Sequence, residues 1–360
     1  MTVGRTTGSP VRPTRGTGSG SYCRTTLSSV LHFPWKGFIF MMVRRLRLPW
    51  AAVALLVVVA LSGCAAPTSQ TASAPCGRLN IAVNPWTGSL ANAQVLGYVA
   101  KTRLGCQVDF VGVAATENWH SMEEGRVDVI PEVWGQADFV EQYTQVRKTV
   151  VDAGLTGGDA TLGWYLPPWL AKEHPELTRW ENLNTYSSLF VTPQSGGKGQ
   201  LLSTDPTLVS NNNPLLANLG LDFNVVSVPT EAELIRSLQD SERHRRPLLV
   251  YFYAPQWIFS DLKLVRVKLP VYDSKKPECA QNGGFRCDYP QLALTKMAST
   301  RFMSSGSPAV TLVQNFSWTN NDQNSVARAI DRDHVSPEQA AKAWVEANPD
   351  KVGAWITPTR

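Results

Sequence analysis

The sequence predicts an α/β fold with a largely parallel sheet, divided into two lobes. From Leu79 onward, short apolar runs alternate with amphipathic segments, which is typical of βαβ units. The chain has 360 residues, 43% of them hydrophobic and 18% charged, and this is enough for two globular domains. Several of the apolar runs end in an aromatic residue. Those rings are therefore expected at the carboxyl ends of strands, where open α/β sheets bind their ligands.

Residues 1–63 precede this pattern and are interpreted as a leader with a signal peptide. We expect residues 1–40 to be discarded or to be a mis-assigned extension, with translation starting at Met41 or Met42. A basic stretch and a twelve-residue apolar run at 50–61 follow. At ~1.5 Å per residue that run is too short for a hydrocarbon core of ~30 Å, so a signal peptide is favoured over a spanning helix.

The leader ends at Cys64, in the sequence L-S-G-C. Small residues before a cysteine resemble a bacterial lipobox, in which the cysteine is lipidated and becomes the new N-terminus. An uncleaved anchor or a simple secretion signal is the alternative. Residues 64–76 are mainly Ala, Ser, Thr, Pro and Gln, a composition that predicts a flexible tether. We therefore expect an extracytoplasmic protein held at the outer face of the bacterial cell membrane by a lipid anchor only.

The charge distribution argues against a nucleic-acid partner. The formal net charge is +5, but residues 1–63 hold eight basic residues and no acidic ones, so the remainder carries a net charge of −3. A mildly acidic chain without a basic stripe is not typical of nucleic-acid binding. No C-x-x-C or H-x-x-x-H spacing occurs in the sequence, and we expect neither a metal nor a cofactor.

Apart from Cys64, four cysteines follow the leader, and an even number outside the cytoplasm favours disulfides. Cys76 and Cys106 each precede a predicted strand, and these two strands are expected to be neighbours, so we expect these cysteines to pair. Cys279 and Cys287 flank a glycine-containing loop that a disulfide would close. Four free buried thiols are the alternative.

The first lobe is predicted to comprise residues 77–163 and 266–360. Its early strands are predicted at 79–83, 106–111 and 128–133. Its helices are predicted at 91–104, 116–125, 138–146, 295–304, 321–330 and from Ser336 onward. In the first of these helices Val95 and Val99 are four residues apart and share one face, which is expected to be buried.

The second lobe is predicted to comprise residues 164–265. Strands are predicted at 162–166, 190–192, 224–228 and 248–252, and residues 264–269 lead the chain back. Thr230 is expected to cap an amphipathic helix. The turn P-Q-S-G-G-K-G-Q contains Ser195, Gly196 and Gly197, and its exposed N–H groups are candidates for binding an anion.

Aromatic residues follow four of the apolar runs and are candidates for a ligand cage. Trp134 ends V-D-V-I-P-E-V-W-G-Q. The other candidates are Trp86, Trp164, Tyr165 and Tyr253. Several rings around one cleft recognise quaternary ammonium groups through their π faces. The other tryptophans have helical or apolar contexts and are expected in the core: Trp119, Trp169, Trp180, Trp257, Trp318, Trp344 and Trp355.

Catalytic motifs are not evident. S-S-G-S-P lacks the G-x-S-x-G nucleophile elbow, and the five histidines fit no nucleophile or metal motif. Two carboxylates such as Glu132 and Asp138 leave a secreted hydrolase open as an alternative. We expect a binding protein rather than an enzyme.

Six stretches together resemble one family. They are N-P-W-T-G, E-N-W-H-S-M-E-E-G-R-V-D-V-I-P-E-V-W, G-W-Y-L-P-P-W-L-A-K-E-H-P-E-L-T-R-W-E-N-L, Y-F-Y-A-P-Q-W, C-D-Y-P and S-P-E-Q-A-A-K-A-W-V-E-A-N-P-D. In number and order they resemble the glycine betaine, choline and proline betaine substrate-binding proteins of ABC transporters, over residues 77–356. The resemblance implies a two-lobed periplasmic-binding-protein type II fold with the ligand in the inter-lobe cleft, and a membrane permease as partner.

The resemblance also implies roles for particular residues. Trp134 matches a cage tryptophan, and Tyr253 lies where relatives have a tryptophan before A-P. Trp86 resembles a loop tryptophan that an acidic residue often follows two places later, but here that place is Gly88. Glu132 is a candidate for the missing counter-charge.

The remaining candidates would complete the site. Trp164 or Tyr165 is a candidate fourth wall, and the N–H groups of Ser195, Gly196 and Gly197 are candidates for the carboxylate of a betaine. Two alternatives to a quaternary ammonium ligand remain. The protein binds another small solute, such as an amino acid or polyamine, or it is a surface scaffold without a ligand.

Overall fold

In the computed structural model, which describes residues 76–205, 211–279 and 285–358, nine strands join into one mixed sheet. The strands are β1 (Arg78–Val83), β2 (Gln107–Gly112), β3 (Val129–Val133), β4 (Val150–Leu166), β5 (Gly199–Ser203), β6 (Phe223–Ser227), β7 (Leu249–Ala254), β8 (Val265–Arg266) and β9 (Leu292–Ser299). Their order is β2-β1-β3-β9-β4-β7-β5-β6, and β8 also pairs with β4.

Helices cover this sheet. They are α1 (Thr87–Leu104), α2 (Asn118–Glu123), α3 (Ala137–Glu141), α4 (Pro168–Glu173), α5 (Asn212–Asn218), α6 (Glu231–His244), α7 (Ile258–Asp261), α8 (Thr300–Met303), α9 (Ala309–Asn315), α10 (Asn320–Asp331), α11 (Pro337–Ala347) and α12 (Pro349–Ile356). None of the helices in the described ranges is long and apolar enough to cross a membrane.

The long strand β4 belongs to both lobes. It pairs with β9 as far as Ala160, opposite Leu292, and with β7 from Thr161, opposite Ala254. This change of partner divides the sheet into a first lobe, built on β1, β2, β3 and β9, and a second lobe, built on β5, β6, β7 and β8. It lies slightly before the boundary expected from the sequence at 163/164, and we propose the lobe boundary there.

The outer strands of each lobe are parallel, as the βαβ pattern predicts. β1 pairs in parallel with β2 and β3, and β5 pairs in parallel with β6 and β7. β4 and β9 run antiparallel to their neighbours. The sheet is therefore mixed, and the expectation of a largely parallel sheet holds only away from the strands that connect the lobes.

Three local predictions were wrong. Residues 295–304 were expected to be helical, but β9 continues to Ser299 and only the short helix α8 follows. Residues 190–192 were expected to form a strand, but the 3₁₀ helix Trp180–Phe190 ends at the first of them and Val191 makes only an isolated bridge to Gly199. The first part of β4 was missed because its three glycines resemble a loop.

The cysteines and tryptophans are placed largely as expected. Disulfides join Cys76 to Cys106, beside the parallel pair β1 and β2, and Cys279 to Cys287. Core positions are occupied by Trp119, Trp257, Trp318, Trp344 and Trp355. Trp169 and Trp180 pack against the core of the second lobe and are only partly buried.

Candidate ligand-binding site

A cavity of about 210 Å³ lies between the lobes, at the carboxyl ends of β1, β3, β5 and β6 and beside β7. It is smaller than the ~300–1,000 Å³ typical of pockets for drug-sized ligands, so it suits a small solute. The first lobe contributes Asn84, Pro85, Trp86, Ala115, Asn118, Glu132, Val133, Trp134 and Gln136. The second lobe contributes Leu162, Thr204, Asp205, Pro229, Thr230, Glu231, Tyr251 and Tyr253.

Glu132 connects the two cavity tryptophans. It belongs to β3, in which all five residues are buried. Its Oε1 accepts hydrogen bonds from the indole Nε1 of Trp86 at 2.8 Å and from the indole Nε1 of Trp134 at 2.5 Å. Both indole edges therefore turn toward one carboxylate oxygen, and this fixes the orientation of two large rings on the cavity wall.

The other oxygen of Glu132 is equally occupied. Oε2 accepts from Asn92 Nδ2 at 2.5 Å and from Gln323 Nε2 at 3.0 Å. Burial raises the pKa of Glu132 to about 7, although the indole N–H donors oppose the rise, and the nearby Glu231 adds to it. All four partners are neutral donors, so this carboxylate is satisfied by hydrogen bonds and has no counter-charge among them.

Gly88 is the place where the resemblance led us to expect an acidic side chain. A Cβ atom built there would lie 2.5 Å from Gln323 Nε2 and 3.4 Å from Glu132 Oε2. The space beside Trp86 is thus already filled by an amide and by the Glu132 carboxylate. An acidic residue at position 88 would not fit without displacing Gln323.

Glu231, at the start of α6, is a second buried carboxylate that lines the cavity, and it belongs to the second lobe. Its Oε1 accepts from the Tyr253 hydroxyl at 2.5 Å, and its Oε2 accepts from the backbone N and the Oγ1 of Thr87, both at 2.8 Å. Burial raises the pKa of Glu231, and it raises the pKa of Tyr253 well above its ordinary value. Since Thr87 begins α1, this carboxylate joins the second lobe to the first.

Rings from both lobes meet in the cavity. Trp134 and Tyr253 form an edge-to-face pair with centroids 5.4 Å apart and an interplanar angle of 78°. Together with Trp86 they are called the cage residues below. The structure therefore brings three of the sequence-predicted residues, Trp86, Trp134 and Tyr253, together around one cavity.

Trp164 and Tyr165 do not line this cavity, contrary to the expected fourth wall. Trp164 is 0% exposed and its Nε1 donates to Asn212 Oδ1 at 2.8 Å and to the Tyr289 hydroxyl at 3.1 Å. Tyr165 is buried against Phe259, with ring centroids 5.1 Å apart. Successive side chains of a strand point to opposite faces, and both faces of β4 are covered here, so both rings enter cores.

Ser195, Gly196 and Gly197 also lie away from the cavity. The Ser195 hydroxyl accepts from the Thr192 backbone N at 2.9 Å and donates to the Lys198 carbonyl at 2.5 Å. The turn precedes β5 and therefore lies at its amino end, whereas the cavity takes Thr204 and Asp205 from beyond its carboxyl end. A short strand separates the two, so these N–H groups are not available to a ligand in the cleft.

Sequence reasoning missed Glu231, Tyr251 and Gln136. Glu231 follows the capping residue Thr230 and reads as an ordinary first-turn acid of a helix. Tyr251 stands two residues before Tyr253 in β7, and this alternation alone would have placed both on one face. Gln136 gives no signal in the sequence.

Over residues 77–347 the chain matches the family described as the substrate binding domain of ABC-type glycine betaine transport system. It is 25% identical over 279 residues to the trimethylamine N-oxide-binding protein of Pelagibacter ubique, covering 74% of this chain and 87% of that protein. It is 27% identical over 210 residues to the glycine betaine/carnitine transport binding protein GbuC of Listeria monocytogenes, covering 58% and 59%, respectively.

Solved structures share the fold. The lactococcal OpuAC protein in its closed, glycine betaine-bound conformation has a TM-score of 0.58 at 17% identity, covering 78% of this chain and 100% of that one. An ABC-transporter choline binding protein in complex with choline has a TM-score of 0.61 at 16% identity, covering 78% and 92%. This chain therefore has the same two-lobed periplasmic-binding-protein fold as these structures.

Proposed function

Because the chain belongs to the family of substrate-binding domains of ABC-type glycine betaine transport systems, we propose that it captures a quaternary ammonium solute in its inter-lobe cavity and delivers it to an ABC transporter permease. The chain is a transport binding protein, not an enzyme.

One observation carries the proposal: Glu132 holds the indoles of Trp86 and Trp134 on the wall that Tyr253 completes from the other lobe. A trimethylammonium group has no N–H to donate, so ordinary hydrogen bonds cannot hold it. Each ring face can instead contribute ~0.5–2 kcal/mol by cation–π attraction. Three rings can together contribute up to about 6 kcal/mol, which is most of the ~8.2 kcal/mol that micromolar binding requires.

The same cavity is a poor site for a primary amine. An amino acid or a polyamine would have to donate N–H groups to free acceptors. The carboxylate oxygens of Glu132 and Glu231 already accept hydrogen bonds from neighbouring side chains and backbone. The proteins with which this chain shares sequence similarity are named for trimethylamine N-oxide, glycine betaine and carnitine, all of which carry a trimethylated nitrogen.

A thermal-shift screen of the mature chain tests the proposal. Glycine betaine, choline, carnitine and trimethylamine N-oxide form one set, and ectoine, proline and spermidine form the other. We expect at least one member of the first set to raise Tm and the second set to leave it unchanged. A rise with proline or spermidine and none with any trimethylated compound would replace the proposed ligand class.

The anchor is proposed from Cys64, which lies outside the described residues. A labelled fatty acid should enter the wild-type protein in cells and should not enter Cys64→Ser, which we expect to be released or left unprocessed. Absence of label from the wild type would leave a simple secretion signal as the better interpretation.

A further inference from the structure

Two of the carboxylates that line the cavity are buried, and no cation lies among the described lining residues. Glu132 is 1% exposed and Glu231 is 7% exposed. Their hydrogen-bond donors are indole, amide, hydroxyl and backbone N–H groups. Among the described residues that line the cavity there is no Lys, Arg or His. The segment 206–210, P-T-L-V-S, contains none either.

A buried charge without a counter-charge is costly, and the cost is relieved either by taking up a proton or by binding an opposite charge. Both carboxyl groups have a raised pKa, as expected for the first alternative. A ligand with a net positive charge would provide the second. A zwitterion would instead bring its own carboxylate into a space already lined by Glu132, Glu231 and Asp205.

Tyr251 supplies an uncharged polar contact beyond the cage residues. It is 3% exposed and lines both this cavity and an adjoining one of about 530 Å³. Its ring packs beside Tyr289. Burial raises the pKa of Tyr251, so the hydroxyl stays neutral and can both donate and accept.

From these contacts we infer that the site selects a monocation over a zwitterion, and that Tyr251 binds a hydroxyl group at the other end of the ligand. The inference rests on the quaternary ammonium function proposed above and specifies its ligand class. Glu132 and Glu231 provide the counter-charge, the cage residues contact the trimethylammonium group, and Tyr251 sets the preference for an uncharged polar tail.

Calorimetric titration at pH 8 with three probes of similar size tests the charge. They are choline, the zwitterion glycine betaine, and 3,3-dimethylbutan-1-ol, in which a neutral tert-butyl group replaces trimethylammonium. We expect choline to bind about tenfold or more tightly than either of the others, because both carboxylates favour net positive charge. In Glu231→Gln the ratio of choline to glycine betaine affinity should fall about tenfold. This ratio does not depend on the folded fraction.

Tyr251→Phe tests the tail contact. It should weaken choline about fivefold, the effect of one hydrogen bond, and leave tetramethylammonium, which has no tail, unchanged. Tyr98→Phe, in the second half of α1 and outside the cavity lining, is the matched control and should change neither.

Three outcomes would overturn the inference while leaving the proposed function intact. Glycine betaine could bind as tightly as choline. The ratio of choline to glycine betaine affinity could be the same in Glu231→Gln as in the wild type. Tyr251→Phe could weaken the binding of tetramethylammonium as much as that of choline. Failure of every trimethylated compound to bind would instead refute the proposed function itself.

Discussion

In the proposed cage, Trp134 is the residue on which we expect binding to depend most directly. It contacts Tyr253 across the lobes and is only partly buried. For Trp134→Ala we expect binding to weaken by about 2 kcal/mol, a factor of roughly thirty in Kd, because one π face and one ring contact are lost. Tm of the ligand-free protein should change little. Calorimetric titration and thermal unfolding measure both, with Trp180→Ala, outside the cavity, as the control.

Conservative variants of Trp134 separate a cage from an apolar pocket. Trp134→Phe keeps a π face but loses the N–H that donates to Glu132. Trp134→Leu keeps bulk without a quadrupole. We expect Phe to retain more affinity than Leu. Equal affinities would mean that the pocket binds by shape and apolar contact alone.

Glu132 gives stability and affinity opposite pH dependences. Its pKa rises from 4.5 to about 7 on folding, so between these values the native state binds more protons than the unfolded state. The free energy of unfolding that Glu132 contributes is therefore lost as the pH rises from 4.5 to about 7, by roughly 3 kcal/mol at most. A cationic ligand favours the ionised form, so its affinity should rise in the same window.

Urea unfolding and choline titration between pH 5 and 8 measure these trends. Glu231, Tyr253 and Asp205 also face the cavity, so the comparison is with Glu132→Gln, in which the difference in stability between pH 5 and 8 should shrink. Parallel pH profiles for the wild type and this variant would show that Glu132 does not titrate here.

At the level of elements, the start of α1 depends on the opposite lobe. Its N-cap residue, Trp86, makes no side-chain cap, and its first turn has no acidic residue. Glu231 of α6 accepts from the Thr87 N–H instead. A helix N-terminus is stabilised by a carboxylate at this position, typically by ~0.5–2 kcal/mol.

Glu231→Ala should therefore favour separation of the lobes. With ligand at saturation we expect a larger radius of gyration by small-angle X-ray scattering than in the wild type. Glu233→Ala, in the same first turn but without contact to α1, is the control. An unchanged radius in Glu231→Ala would show that this contact does not hold the lobes together.

Elements with strong local patterns could be predicted, and those stabilised by distant contacts could not. α6 follows from its Thr230 cap and its amphipathic periodicity, and β3 follows from an apolar run. β9 has the sequence L-A-L-T-K-M-A-S, rich in helix formers, but lies between β3 and β4, and pairing on both sides outweighs propensity. Lys296 in this strand donates to the carbonyls of Leu155 and Gln314, contacts that no local pattern indicates.

For the whole molecule, the cavity is assembled from seven separate stretches of the sequence. Trp86, Trp134 and Tyr253 were predictable because each follows or ends an apolar run of strand type. Glu231 was not assigned, since its contact with Thr87 appears only when the lobes meet, and Tyr251 was overlooked although it alternates with Tyr253 along β7. The prediction that the turn at Ser195 binds the ligand was wrong for a topological reason. Its N–H groups suit anions, but the turn lies at the amino end of β5 and the cavity at the carboxyl end.

The lobes share a core, and this determines how the molecule should unfold. One buried cluster contains Leu96 and Val326 from the first lobe together with Leu234 and Phe252 from the second. We therefore expect a single cooperative transition in differential scanning calorimetry. Choline at about 100 times its Kd should stabilise it by ~2.7 kcal/mol, because only the native state presents both halves of the cavity. Trp134→Ala should unfold at a similar Tm without ligand and show a smaller shift at the same choline concentration. Two transitions, of which choline moves only one, would mean that the lobes unfold separately and that the shared core does not couple them.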